Sequence, residues 1–128
     1  MFYKTKAGRV PAETFLDECP DSVDIRINAV LKAVSEAPPP QFSGGGMWEA
    51  MHGDMAGYYE VRVRAGRDLF RLFCLLDHHG PGLSRPAIVA PTGLRKPIGT
   101  AFRSREYAAV SSMGGDYGSS SPRRIKER

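Results

Sequence analysis

The stretch Tyr58-Tyr59-Glu60-Val61-Arg62-Val63-Arg64-Ala65-Gly66-Arg67-Asp68-Leu69-Phe70-Arg71-Leu72-Phe73-Cys74-Leu75-Leu76 decides the fold. Successive side chains of a strand point to opposite faces, so Tyr58, Glu60, Arg62 and Arg64 share one face and Tyr59, Val61, Val63 and Ala65 the other. That alternation predicts a half-buried strand with a charged face. Ala65-Gly66-Arg67-Asp68 supplies a turn, and Leu69 to Leu76 is apolar apart from Arg71, the pattern of a central strand covered on both faces. A basic β-hairpin over Tyr58 to Leu76 is expected.

Towards the N-terminus the period changes. Val23, Ile27, Val30, Leu31 and Val34 recur at three- and four-residue steps, which predicts a helix from Asp21 or Ser22 to about Ala37. Pro11 suits the first turn of a preceding helix carrying Phe15 and Leu16, and Pro20 stops it. Phe2-Tyr3-Lys4 reads as a short opening strand. Pro38-Pro39-Pro40 ends the second helix, Gly44-Gly45-Gly46 makes a loop, and Met47 to Met51 reads as another strand before the turn-rich Gly53-Asp54-Met55-Ala56-Gly57.

Beyond the hairpin, Asp77 to Arg85 is a loop. Pro86 to Val89 leads into a last strand ending near Thr92, and a short helix is expected from about Ala101 to Val110. After Ser111 the chain turns to Gly, Ser, Pro and Arg, a composition that buries little apolar surface. Residues 1–111 are therefore expected to form one α+β domain and 112–128 a mobile basic tail. Two N-terminal helices should pack on a small, mostly antiparallel sheet, leaving its other face, or part of it, open.

The 128 residues suffice for one core. No window approaches the roughly 18 apolar residues of a membrane span, and the N-terminus has no apolar signal stretch, so a cytoplasmic location away from membranes is expected. Cys19 and Cys74 lie far apart without ligand-like spacing, which favours two thiols over a disulfide or zinc site; neither cofactor nor metal is expected. Charge is uneven. Residues 1–56 carry five basic and eight acidic side chains, net −3, whereas 57–107 carry nine and four, net +5. Basic charge in the second half can act as a phosphate-binding field, though an ordinary solvated surface reads the same way.

Arg71 is the anomaly. A guanidinium inside an apolar strand must pair with a carboxylate, for which Glu60 on the neighbouring strand is placed, or meet an external anion. Arg62, Arg64 and Arg71 converge across the hairpin, with Arg67 in its turn, and a polyanion would explain such like charges placed together. A second basic group comprises Arg95, Lys96, Arg103 and Arg105, with Tyr107 on the same helix face as Arg103. His52 lies before the hairpin, while His78 and His79 read as solvent-exposed loop residues. Glu13, Asp17 and Glu18 read as a solvated helix face, and Trp48 as core, packing lid or a stacking platform for a base.

The segment Trp48-Glu49-Ala50-Met51-His52-Gly53-Asp54-Met55-Ala56-Gly57-Tyr58-Tyr59-Glu60-Val61-Arg62, followed by Leu69-Phe70-Arg71-Leu72-Phe73, resembles the hairpin of HigB-like and phage-derived members of the RelE superfamily. Pro11-Ala12-Glu13-Thr14-Phe15-Leu16 is similar to that family's helix opening. Phe70 stands where the family usually has Tyr, and Gly93-Leu94-Arg95-Lys96-Pro97 is a loose version of its basic segment. The resemblance runs from about Phe2 to Val110. It implies the toxin of a type II toxin–antitoxin system, an endoribonuclease that cleaves mRNA, often on the ribosome, and is held inactive by a cognate helix-turn-helix antitoxin.

Cleavage through the RNA's own 2′-hydroxyl needs a base, positive charge on the transition state and an acid for the leaving oxygen. Arg71 and Arg62 suit the charge role, Glu60 the base, and Lys96 or Tyr107 the acid if the last helix folds over the sheet. Arg64, Arg67, Arg95, Arg103 and Arg105 would then bind RNA. Two other readings stay open: a non-catalytic RNA- or ribosome-binding protein on the same fold, and a phage or plasmid interaction protein docking an acidic partner.

Overall fold

The computed structural model describes residues 1–36, 47–78, 87–101, 103–120 and 122–127. The expected Pro38–Pro40 stop, the Gly44–Gly46 loop and His79 lie outside these residues. The elements run β1 (Phe2–Tyr3), α1 (Pro11–Glu18), α2 (Asp21–Glu36), β2 (Trp48–Ala50), a 3₁₀ turn (Gly53–Met55), β3 (Tyr58–Ala65), β4 (Asp68–Asp77), β5 (Ala87–Val89), β6 (Gly93–Pro97), α3 (Ser104–Ser119) and β7 (Ile125–Lys126). This is the expected α+β fold with a mostly antiparallel sheet. No helix among the described residues is long and apolar enough to cross a membrane.

The hairpin β3–β4 organises everything else. Its register places Arg62 opposite Arg71, Glu60 opposite Phe73 and Ala65 opposite Asp68. The turn between them holds Gly66 at φ 59°, a left-handed conformation that a side chain would resist. β2 flanks β3 antiparallel, with Glu49 opposite Glu60. β5 and β6 both pair with β4 antiparallel, β5 along Leu75–Asp77 and β6 along Asp68–Leu72. The strand expected to end near Thr92 is thus interrupted there and continues to Pro97. Thr92 still accepts a hydrogen bond from the Phe73 backbone at 2.9 Å.

One face of the sheet carries α1 and α2. Val61, Val63, Phe70, Leu72 and Cys74 pack there against Ala12, Leu16, Val23, Ile27, Val30 and Val34 in one buried cluster. Burying each Val, Leu, Ile or Phe of this kind stabilises the fold by about 1.5–3 kcal/mol. Trp48 belongs to the same cluster, 4% exposed and stacked on Tyr59 with ring centroids 5.0 Å apart. Of its three readings, core is the observed one. Close packing also fixes Gly93, where an added Cβ would lie 2.3 Å from Cδ2 of the Phe15 ring. Gly93→Ala should therefore overpack the α1–β6 contact, costing about 1–3 kcal/mol and lowering the thermal midpoint by about 5–10 °C. An unchanged melting curve would show that Phe15 moves aside freely.

The second face differs from expectation. It is not left to a short helix ending at Val110: α3 has 16 residues and reaches Ser119. Tyr107 and Val110 pack with Met55, Phe73 and Leu94, and Met113 and Tyr117 pack with Tyr3, Leu75 and Val89. The spacing Val110, Met113, Tyr117 is a helical stripe diluted by Gly and Ser, which hid it from composition. Gly114 belongs to the same face, and an added Cβ there would lie 1.9 Å from the Tyr58 hydroxyl oxygen. The residues expected as a mobile tail are thus built into the domain. β7 pairs with β1, Phe2 opposite Lys126 and Tyr3 opposite Ile125.

Polar pairs close this end. Tyr117 Oη donates to the buried Asp77 carboxylate at 2.6 Å, and Arg123 pairs with the same oxygen. Tyr3 Oη and Arg124 both donate to Asp116, each at 2.5 Å. Lys126 Nζ reaches Glu13 at 2.6 Å, so Glu13, read as a solvated helix face, has a tertiary partner, while Asp17 and Glu18 are exposed. Cys19 and Cys74 are free and buried, and burial pushes their thiols up to about 11 and about 12. As thiols at neutral pH they behave as small apolar groups.

Candidate active site

Glu60 lies on the α3 side of β3, where the charged residues of that strand project. It is 7% exposed, and its carboxylate sits between two guanidiniums: Arg71 Nη1 is 3.4 Å from Oε2, and Arg62 Nε is 3.7 Å from Oε1. Arg62 also reaches Glu49 Oε2 at 3.1 Å, as the pairing of β2 with β3 allows. Of the two readings of Arg71, pairing with Glu60 is the one observed. The grouping of Arg62 and Arg71 is balanced within the fold and needs no external anion to account for it.

Three effects compete at Glu60. Burial pushes its pKa up, Arg71 and then Arg62 pull it down, and Glu49 adds a smaller upward push; burial prevails, so the pKa lies above the ordinary carboxylate value. The two arginines by themselves would make Glu60 a weaker base, and desolvation reverses that order. Among the described residues Oε2 accepts no hydrogen bond and is met by Arg71 as an ion pair.

Glu60 borders a cleft of about 530 Å³ between the β2–β3 end of the sheet and α3. Met51, Met55, Tyr107 and Ala108 supply apolar lining, and Glu49, His52, Asp54, Ser104 and Ser111 the polar part. Tyr107 is held by an edge-on contact with Phe73, ring centroids 6.3 Å apart at 89°. Since α3 does cross this face, Tyr107 shares the cleft with Glu60, 47 residues away in sequence.

The second basic group is divided. Arg95 and Lys96 are neighbours on β6 and so project to opposite faces. Arg95 lies over the Phe70 ring, 5.2 Å from its centroid, and pairs with Asp68 at 2.6 Å. It belongs to the α1 side, away from Glu60, which corrects its expected place beside Lys96. Lys96 is on the α3 side, with Nζ 2.5 Å from Glu106 Oε1. Glu106 also accepts from the Arg103 backbone N–H at 3.0 Å, which ties the start of α3 to β6. Those contacts hold the Glu106 pKa below its ordinary value, the Lys96 hydrogen bond foremost.

Arg64, Arg67, Arg103 and Arg105 are exposed. Arg64 lies on the Glu60 face of β3 and Arg67 in the hairpin turn. Arg103 and Arg105 stand at the start of α3. His52 is exposed and lines the cleft, whereas His78 is exposed at the end of β4. The residues that sequence reasoning passed over are Glu49, Asp54, Met51 and Met55. Only Glu49 left a signal, since pairing β2 with β3 sets one carboxylate opposite another.

The structure therefore defines a three-layer α+β domain in which a tyrosine and a buried carboxylate line one cleft, the carboxylate flanked by two arginines. No protein-family model matches the chain, and neither a curated protein nor a solved structure matches it.

Proposed function

We propose that this protein is an endoribonuclease of the toxin type, cleaving single-stranded mRNA through the RNA's own 2′-hydroxyl. The observation that carries the reading is Glu60: nine-tenths buried, raised in pKa, flanked by two guanidiniums and bordering a cleft that Tyr107 also lines. Glu60 takes the 2′-hydroxyl proton. The 2′-oxygen bonds to phosphorus, the bond to the 5′-oxygen breaks, and the Tyr107 hydroxyl protonates that leaving oxygen, giving a 2′,3′-cyclic phosphate and a free 5′-hydroxyl. Arg62 and Arg71 match phosphate oxygens in pairs and hold the charge that builds on them. Lys96 comes into play when a phosphate draws it from Glu106. Arg64, Arg67, Arg103 and Arg105 track the backbone on either side. Cytoplasmic mRNA, free or on the ribosome, is the substrate, and a helix-turn-helix antitoxin the natural inhibitor, on the resemblance of the hairpin to RelE-type toxins.

A buried carboxylate of raised pKa is a stability cost. Its folded-state pKa exceeds the unfolded value, so the stability it contributes is full below the unfolded pKa and is lost as pH rises through the folded one. Keeping Glu60 ionised at neutral pH works against the fold, as expected of a group held for chemistry. The pH–rate profile should accordingly show an acid limb, activity falling as Glu60 protonates, centred above the ordinary Glu value of about 4.3. Glu60→Gln should abolish that limb along with most of the rate. A limb at or below the ordinary value would remove Glu60 as the base.

Non-catalytic RNA binding is the second reading, and the ion pairs Arg62–Glu49 and Lys96–Glu106 favour it, because both occupy cations that catalysis would use. Purified protein incubated with RNA separates the two: new cyclic-phosphate ends support cleavage, and retention of intact RNA supports binding alone.

A further inference from the structure

Arg62 is shared between two carboxylates, and the sharing is uneven. Glu49 stands opposite Glu60 across β2 and β3, and Arg62, two residues along β3, projects from the same face as Glu60. Its Nη1 donates a hydrogen bond to Glu49 Oε2 at 3.1 Å, whereas its Nε lies 3.7 Å from Glu60 Oε1, too far for one. That Nε is buried and makes no hydrogen bond. The Glu49 side chain is 48% exposed and that of Glu60 9%, so the attraction to Glu60 is the less screened of the two. A guanidinium left to itself would close on Glu60, and Glu49 draws it outward.

We infer that Glu49 is a positioning residue for the cleavage, holding the Arg62 guanidinium off the Glu60 carboxylate so that Glu60 remains a base and Arg62 remains available to phosphate; the inference rests on the ribonuclease reading. A hydrogen bond from Arg62 would stabilise the ionised carboxylate and make it a poorer proton acceptor. Glu49 acts against that twice, by holding the guanidinium and by its own charge, which favours the protonated form of Glu60. An exposed ion pair is weak, so a phosphate arriving from solvent takes Arg62 from Glu49 with little loss. Drawing the same guanidinium from Glu60 would strip a buried charge of a partner, which costs far more. Among the described residues, the other charged or titratable groups about Glu60 are Arg71 from β4 and, along the cleft, His52 and Asp54 at the 3₁₀ turn and Tyr107 on α3. Substituting Glu49 leaves all of them in place.

The test compares the full wild-type chain with Glu49→Ala and with Glu49→Gln, which keeps a hydrogen-bond acceptor but no charge. Without RNA, the Glu60 carboxyl is titrated by carbon NMR, its signal assigned by its loss in Glu60→Gln. That titration should move to lower pH in Glu49→Ala, and by less in Glu49→Gln. With RNA, the acid limb of the rate should follow the same shift, and kcat should fall about tenfold in Glu49→Ala, part of the roughly 100- to 10,000-fold that a general base supplies. The thermal midpoint should stay near the wild-type value, because an exposed ion pair adds little stability. A Glu60 titration that stays in place or moves to higher pH in Glu49→Ala would overturn the inference, as would a moved titration with unchanged kcat against an active wild type. A wild type that cuts no RNA, with the Glu60 titration still moved by Glu49→Ala, sinks the ribonuclease reading and keeps the hold of Glu49 on Arg62. Cleavage by the wild type with an unmoved titration does the reverse.

Discussion

Arg71→Ala is expected to lower RNA cleavage by about 100-fold or more, the usual effect of removing one preorganised charge from a developing oxyanion. The wild type, induced in cells, should arrest growth and leave cut transcripts, and the variant should do neither. Arg71 also neutralises Glu60, so removing it withdraws the largest charge effect holding the Glu60 pKa down. The variant should therefore show its residual activity shifted to higher pH. Because that pair is largely buried, the variant must be checked for folding by thermal melting. Arg71→Lys provides the companion: it keeps the charge, loses the two-pronged match to phosphate and should recover part of the rate. Intact transcripts under wild-type induction would sink the enzyme reading. Full activity in both variants would leave cleavage standing and take Arg71 out of it.

Truncation after Ser111 is expected to destroy the fold. The removed residues carry half of α3 and all of β7, including Tyr117, 4% exposed. Losing an aromatic side chain of this kind costs about 3–5 kcal/mol by itself, against a total stability of about 5–15 kcal/mol for a typical domain. Asp77 would stay behind without its Tyr117 and Arg123 partners, and Tyr3 would lose both Asp116 and its strand partner Ile125. The truncated chain should show no cooperative melting transition, and Tyr117→Ala alone should melt well below the wild type. A truncated chain that melts like the full one would return these residues to the status of a dispensable tail.

These experiments bear on different parts of the molecule, and the parts differ in how far the residues announced them. The hairpin was legible because its information is local: alternation over Tyr58–Ala65 and an apolar run over Leu69–Leu76 bound β3 and β4 to within a residue or two of their observed ends. The α2 face was legible for the same reason, through a repeat of three and four. Composition misled after Ser111, since the Gly and Ser there mostly form the exposed side of α3 and mask the buried stripe of Val110, Met113 and Tyr117. Gly114 makes room for Tyr58, and the stripe it interrupts depends on a sheet already formed. At Arg95-Lys96 two adjacent charges read as one basic group, until the pairing of β6 with β4 sent them to opposite faces.

The candidate site divides along the same line. That Glu60, Arg62 and Arg71 would meet followed from the chain alone, because strand period and a tight turn fix which side chains stand across from one another. Whether the arginines would be free cations or paired, and whether Glu60 would be a stronger or weaker base, depended on desolvation set by α3 and the β2 end of the sheet, elements distant in sequence. On the hairpin expected to carry free cations, Arg62 and Arg71 are paired with Glu49 and Glu60, while Arg64 and Arg67 are exposed. Local periodicity determines register; only packing between remote segments determines burial, and burial sets the chemistry of Glu60.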